Sequence, residues 1–443
     1  MESFFIAVVS MAVVLGIMIL VHEFGHYAAA KSFGVRVEVF SIGFGKRLTG
    51  FRRGDTDYRI SALPLGGYVK MAGENPLESR SGAPDEFMSH PRWQRFVIAI
   101  AGPAMNILLA IALLTGVFMV HYEHPPYLDE PAVVGWVMDD SPAAKAGIEQ
   151  GDRIVRIDGQ ENPTWADVIL KVMINTKQPL SVAIQRGHDI VEKQIQPVAE
   201  GSDEYGSVGC LPDQPVIVTQ LESNMPAAKA GLQVGDEIIS VNGTPVRSLY
   251  SVVHYLRKSG DKPLVVVASR KGQQINFNVT PVYDQGRKAY RLGFGSDPVQ
   301  VDKLPFAKAL DRSFEENKKF SLLMVELVHK MVERKVSIKQ LDGPIGIARA
   351  SGEAAREPGW TPLLGLMAMI SLNLGIINLL PIPILDGGVI LLLVVESLMR
   401  RDISLRIKER IYQTAFVFIV LVFVVVIYND LMKALPGLAQ RLP

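Results

Sequence analysis

An uninterrupted apolar stretch, Phe4 to Val21, runs straight into the motif His22-Glu23-Phe24-Gly25-His26. The stretch is long enough to cross a bilayer as a helix, so the chain has to fold with ionisable side chains at the end of an apolar span. Each charge near mid-bilayer costs about 2.5 to 3.5 kcal/mol even on lenient scales, which makes such groups functional by default. In a helix, residues four apart share a face, so His22 and His26 can both reach one metal ion. Glu23, on the adjacent edge, can reach a water beside that ion. The simpler alternative is a helix end whose His and Glu side chains snorkel to the headgroups.

Three more segments are apolar enough to span: Phe96 to about Val120, Leu363 to about Leu398, and Ala415 to Ile427 with its flanks. The chain of 443 residues therefore reads as a four-span α-helical membrane protein with a large inserted soluble segment. The first span has no basic region ahead of it and no convincing small-residue cleavage site, so it is expected to stay in the mature protein. A net charge of +1 gives no reason to expect a nucleic-acid partner. What matters is where the basic residues fall. Residues 32–95 carry Arg36, Lys46, Arg47, Arg52, Arg53 and others, and the last connection carries Arg400 to Arg410, so both loops are expected in the cytoplasm. Both termini and residues 121–362 then lie outside. The single Cys210 excludes an internal disulfide in the exported segment.

That segment repeats itself. Pro142-Ala-Ala-Lys-Ala-Gly147 recurs as Pro226-Ala-Ala-Lys-Ala-Gly231, and Gly151-Asp152 as Gly235-Asp236, at a constant offset of 84 residues. Residues 128–212 and 213–298 thus read as tandem domains. Each has an opening strand, a short helix at Pro-Ala-Ala, a Gly-Asp turn, a strand, an Asp-Gly or Asn-Gly turn, a second helix and closing strands. Through "SPAAKAGIEQGDRIVRIDG" and "MPAAKAGLQVGDEIISVNG" they resemble circularly permuted bacterial PDZ domains. The resemblance implies that peptide C-termini add a strand to a sheet edge, with the loops ending at Gly209 and Gly293 as candidate carboxylate holders. Empty grooves serving as a steric screen are the alternative. Residues 304–340 follow, with Phe320, Met324, Leu327 and Met331 at helical spacing, as an amphipathic helical region near the membrane surface.

Two His cannot hold a catalytic zinc securely, and a third protein ligand is needed. The third span, residues 362–399, supplies Asp386 within Asn378-Leu-Leu-Pro381-Ile-Pro383-Ile-Leu-Asp386-Gly387-Gly388. Its prolines and glycines break an apolar segment, which is tolerated at membrane depth only where protein or a wet cavity surrounds it. Spans one and three run in the same direction by the charge pattern, and their motifs lie about 18 and 24 residues from the span starts, so they can meet. A His, His, Asp set with an open position suits zinc better than magnesium or calcium. The alternative for Asp386 taken alone is a turn-capping carboxylate before Gly387-Gly388.

With HEFGH, "LPIPILDGG" and "AGPAMN" (Ala101 to Asn106), the chain resembles the site-2 protease family of intramembrane zinc metalloproteases. Two PDZ domains between spans two and three, with "FSIGFGK" and "PLGGYVKM", place the resemblance in the branch serving the sigma-E envelope stress response of Gram-negative bacteria. It covers essentially the whole chain. Val389 departs from the pattern, since many relatives have His there. The resemblance implies one catalytic zinc on His22, His26 and Asp386, with Glu23 as general base and acid and Asn378 as a substrate contact. Asn106 is a weaker candidate for helping the oxyanion. Pro381 and Pro383 join Asn378 as expected substrate contacts.

A substrate helix hides its carbonyls in its own hydrogen bonds, so it must unwind and find replacement partners before it is cut. A membrane-associated β element can supply them. Tyr58, Arg59, Ile60, Ser61 and Ala62 read as one strand of a hairpin, turning at Pro64-Leu65-Gly66-Gly67 into Tyr68 to Met71, with Gly43-Phe44-Gly45 as a loop nearby. A plain cytoplasmic hairpin is the alternative. The family's substrates are single-span proteins already shortened outside, above all a membrane-bound anti-sigma factor, and remnant signal peptides. These imply the bacterial inner membrane, with the PDZ domains in the periplasm. The competing readings are an inactive PDZ scaffold on a membrane anchor, a metal transporter, and a soluble-type zincin.

Overall fold

The computed structural model describes residues 2–74, 82–176, 178–201, 204–296, 300–333 and 343–434. The chain forms two compact units: Met1–His121 with Lys303–Glu326 and Leu341–Pro443, and Tyr122–Asp302 with Leu327–Gln340.

The first unit begins with α1, Glu2–Ser32, whose apolar run leaves only backbone hydrogen bonding to satisfy its polar groups. It ends where Gly34 adopts φ +81° and Val35 N–H returns to the Ala30 carbonyl at 2.9 Å. Two long strands follow, β1 (Val37–Arg53) and β2 (Thr56–Met71). Their register departs from the simple hairpin expected. Phe40, Ser41 and Ile42 face Val69, Tyr68 and Gly67 on one side, and Tyr58, Arg59 and Ile60 on the other. Residues 58–60 then pair again with Phe51, Gly50 and Thr49. Tyr58–Ile60 and Tyr68–Met71 are thus separated by the start of β1 rather than paired with each other. The reason is burial. The β-prone run from Val37 contains fully buried Val37 and nearly buried Ser41, so it takes the centre, and Gly43, Gly45 and Gly66, all at positive φ, let the long strands fold over.

Helix α2, Arg92–Val120, crosses α1 where side chains are smallest. A Cβ on Gly25 would lie 2.3 Å from the Ala101 carbonyl oxygen, so the two backbones touch there.

The second unit contains the two repeats. The first has strands at Val134–Val137, Arg153–Ile157, Leu180–Arg186 and Asp189–Ile195, with α3 (Pro142–Lys145) and α4 (Trp165–Met173). The second has α5 (Pro226–Lys229), α6 (Leu249–Ser259), and strands Glu237–Val241, Leu264–Arg270 and Gln273–Val279. Each encloses its own apolar core, around Ile154, Ile157 and Ile184 in one and Ile238, Leu264 and Val266 in the other. The repeat extends to a buried charge. Asp152 receives two hydrogen bonds from Arg186 at 2.8 Å, and Asp236 receives two from Arg270 at 2.7 and 2.8 Å. Each arginine also donates to a carbonyl, Gly147 or Gly231, at 2.8 Å.

The amphipathic region forms α7, Phe306–Val332, and the rest of that expectation, 334–340, lies outside the described residues. Within the first unit come α8 (Pro344–Ala354), α9 (Thr361–Asn378), α10 (Asp386–Met399) and α11 (Leu405–Ala434). The expected third span is therefore two helices. Pro381 and Pro383 lack N–H donors and disfavour helical conformation in the residues before them, so 379–385 turn and the helix restarts at Asp386. Among the described residues, four helices are long and apolar enough to cross a membrane: Phe5–Ser32, Arg92–Val120, Thr361–Asn378 and Leu405–Lys433.

Candidate metal centre

His22 and His26 lie one turn apart on α1, and Asp386 opens α10. His22 Nε2 is 3.1 Å from Asp386 Oδ2, His26 Nε2 is 3.4 Å from Asp386 Oδ1, and the two Nε2 atoms are 3.2 Å apart. The three residues form a group whose ligand atoms all lie within 4.8 Å of one another.

Glycines make this approach possible. A Cβ on Gly102 would sit 2.3 Å from His26 Nε2, so α2 leaves an opening for that ring. Gly387 and Gly388 would meet the Leu379 and Ile382 carbonyl oxygens at 2.3 and 2.2 Å, so only glycines let α10 start folded back on the turn before it. Those contacts fix where Asp386 points.

The donor set fits zinc. His26 Nδ1 lies 2.8 Å from the Ile98 carbonyl, which can only accept, so Nδ1 carries the proton and Nε2 presents a lone pair. That lone pair faces a second imidazole nitrogen and a carboxylate, three groups close enough for one cation to share. Two imidazoles and one carboxylate are a three-residue set typical of catalytic zinc. The Glu23 carboxylate, adjacent in sequence, accepts a hydrogen bond from the Val69 N–H at 2.9 Å.

All four side chains line one cavity of about 470 Å³, which Tyr68, Asn378 and Val389 also reach. Its wall continues past Glu74 and Arg95 to Glu396, Lys408 and Tyr412. Lys408 donates to Glu396 at 2.6 Å, and both are almost wholly buried.

The other expected substrate residues are spread wider. Pro381 and Pro383 line a separate groove of about 520 Å³ with Ile411, Thr414 and Phe418, not the cavity at Glu23. The rings of Phe44 and Tyr68 stack at 5.9 Å, and Gly66 leaves room for the Phe44 ring. Arg59 donates to the Tyr68 hydroxyl, and Tyr58 stacks on Phe51. Ser61 is buried against Ser41 at 2.9 Å, whose hydroxyl donates to the Gly43 carbonyl. Gly67 passes close to the Ser41 carbonyl and to Glu23. Gly45 opens onto free space, Ile60 is exposed, and Ala62 follows it on the same strand. Asn106 differs from its expected role, because its side chain meets His22 Nδ1 at 3.2 Å on the far side of the ring from Asp386.

In the repeats, Gly209 and Gly293 adopt φ +72° and +84° and pack against Ser141 and Met225, just before α3 and α5. Their carbonyls accept from Met138 and Glu222 N–H groups. Two groups without a sequence signature act through backbone beside His26 and Glu23, the Ile98 carbonyl and the Val69 amide. Arg186 and Arg270 were findable, because they too are 84 residues apart.

The sequence matches Peptidase family M50 over residues 10–422. It is 34% identical over 462 residues to the regulator of sigma-E protease RseP of Escherichia coli (strain K12), covering 97% of this chain and 99% of that one. It is 33% identical to the protein of the same name from Salmonella typhimurium (strain 14028s / SGSC 2262), covering 94% and 96%. The regulator of sigma E protease of Haemophilus influenzae is 30% identical, covering 97% and 100%. Among solved structures, the PDZ domain of an SdrC-like protein from Listeria innocua matches 19% of this chain and 93% of its own at 24% identity, with a TM-score of 0.16. Over nearly its whole length, then, this chain belongs to peptidase family M50.

Proposed function

We propose that this chain is an intramembrane zinc endopeptidase, with His22, His26 and Asp386 as metal ligands and Glu23 as general base and acid. The observation that carries this reading is the meeting of two imidazole nitrogens and a carboxylate beside Glu23, with both histidines on a helix apolar enough to span a membrane. Bound there, zinc supplies a Lewis acid that brings the pKa of a water to about 7 and polarises the scissile carbonyl. Glu23, oriented by the Val69 amide, takes the proton of the attacking water and returns it to the leaving amine. Asn378 and Tyr68 contact the substrate where they line the cavity, and the polar wall toward Glu396 and Lys408 admits water.

The substrates are single-span membrane proteins: a membrane-bound anti-sigma factor already shortened outside, and remnant signal peptides. Residues 67–71, beside Glu23, offer backbone groups to a substrate segment that has unwound, with Gly43-Phe44-Gly45 close by. The enzyme sits in the bacterial inner membrane with both termini and the repeats in the periplasm. There the repeats, as permuted PDZ domains, screen out substrates with intact outer domains, and the loops at Gly209 and Gly293 hold peptide C-termini. Deleting residues 130–297 is expected to permit cutting of unshortened substrate, and unchanged selectivity would count against the screen.

The test is to reconstitute the full chain with a shortened single-span substrate and locate the cut by mass spectrometry. A cut inside the span, faster when the span carries helix-breaking residues, is expected. A cut confined to the flanking segments, or equal rates for helix-broken and helix-stabilised substrates, contradicts the reading.

A further inference from the structure

His22 has a nitrogen on each side of its ring, and the two face different chemistry. Nε2 points at Asp386 and His26, while Nδ1 lies 3.2 Å from the side-chain amide of Asn106. To present a lone pair at Nε2, His22 must carry its proton on Nδ1, and that proton needs an acceptor. His26 meets the same requirement with the Ile98 carbonyl at 2.8 Å. For His22 the chain offers Asn106.

We propose that Asn106 is a positioning residue for the metal centre: its amide oxygen accepts the His22 Nδ1–H, fixing the tautomer and angle of that ring. Asn106 is completely buried, and its Oδ1 has no hydrogen-bond partner among the described residues. The amide as drawn sets Nδ2 against the ring. Oxygen and nitrogen of a side-chain amide are assigned by their network, and rotating the amide by half a turn sets its oxygen against His22 Nδ1, where an Nδ1–H needs an acceptor.

The helix crossing explains why this position carries the acceptor. On α1 the two histidines are four residues apart, and on α2 Gly102 and Asn106 have the same spacing. Gly102 leaves room for His26, and one turn along the same face Asn106 reaches His22. Helix α9 holds the Asn106 backbone and Cβ from behind. Ser371 donates to the Asn106 carbonyl at 2.9 Å, and Gly375 lies against its Cβ. Since α9 leads through the 379–385 turn to Asp386, one packed segment holds the third ligand and the residue that orients the first.

This assignment rests on the zinc reading, so the test measures metal affinity rather than proteolysis alone. Zinc affinity is measured by competition with a chromogenic chelator on the purified full chain, for wild type, Asn106→Leu and Asn106→Asp. Leu keeps the bulk and loses the acceptor, whereas Asp keeps both. Asn106→Leu is expected to weaken zinc binding by about 10- to 100-fold, and Asn106→Asp to stay within about threefold of wild type. Equal affinity of the Leu variant and wild type would overturn the role of Asn106 alone. So would an Asp variant as weak as the Leu variant. Should Asn106→Leu fail to fold, Asn106→Asp decides, and a loss beyond about tenfold overturns the proposal. A wild-type protein that binds no zinc would remove the metal reading and this role with it.

Discussion

The helices that carry His22, His26 and Asp386 and the tandem repeats hold polar groups in opposite ways. In the helices, Gly25, Gly102, Gly375, Gly387 and Gly388 leave room where a side chain would clash, and two buried imidazoles and a partly buried carboxylate meet at one site. In the repeats, two separate apolar cores supply the stability, and the one buried carboxylate in each, among the described residues, is closed off by an arginine. The first arrangement leaves acceptors facing one another with room for an ion, and the second leaves none. A cluster of buried charge is a site only where its own partners do not neutralise it.

The largest effect is expected at the crossing of α1 and α2. Gly102→Val would put carbon where His26 Nε2 now lies, so bound zinc, read by elemental analysis, and cleavage should both fall to background. The repeats should melt unchanged. Retention of one zinc per chain would mean that the helices can separate without cost, and the contrast would fail.

Next comes Arg270→Ala, which leaves Asp236 buried without its cation. Removing the arginine leaves a carboxylate that is shielded from water without its cation, which destabilises the repeat. Thermal melting of the second repeat should show that loss, while cleavage of an already shortened substrate stays normal. A pH series sharpens the point. Arg270, and after it the Gln233 N–H, hold the Asp236 carboxyl below its ordinary value of 3.8, so its contribution is complete above that value and drains away as the pH falls below it. The melting temperature should be insensitive to this pair between about pH 5 and 7 and should drop below about pH 4, less steeply in Arg270→Ala than in wild type. Equal slopes would show that the clamp contributes nothing.

The smallest effect is expected at Asp158, which accepts from the Ser181 N–H at 3.0 Å as Asn242 does from Val265 at 2.8 Å. Asp158→Ala should lower the stability of the first repeat by about 0.5 to 1.5 kcal/mol in a denaturant titration.

What the sequence made readable follows from which groups carry a signature. His22, Glu23 and His26 sit in one helical turn, and Asp386 is a lone carboxylate in an apolar segment, so both could be picked out and the structure brings them together. The repeat was visible because its turns need Gly, Asp and Asn at fixed places. The order of strands around Val37–Ile42 was not, because two long strands of similar β propensity allow several registers and burial chooses between them. The Ile98 carbonyl and the Val69 amide were invisible in principle, since every residue has both groups. The break between α9 and α10 could have been placed from Pro381 and Pro383, but a continuous apolar run drew the two helices into one span.

Glu23 is proposed to act on a metal held by residues of α1 and α10. This is tested most directly by measuring zinc content and cleavage of a single-span substrate in parallel for wild type and Glu23→Gln. The account predicts about one zinc per chain in both and cleavage only by wild type. Cleavage by Glu23→Gln at the wild-type rate, or a fully active wild type without bound metal, would contradict it.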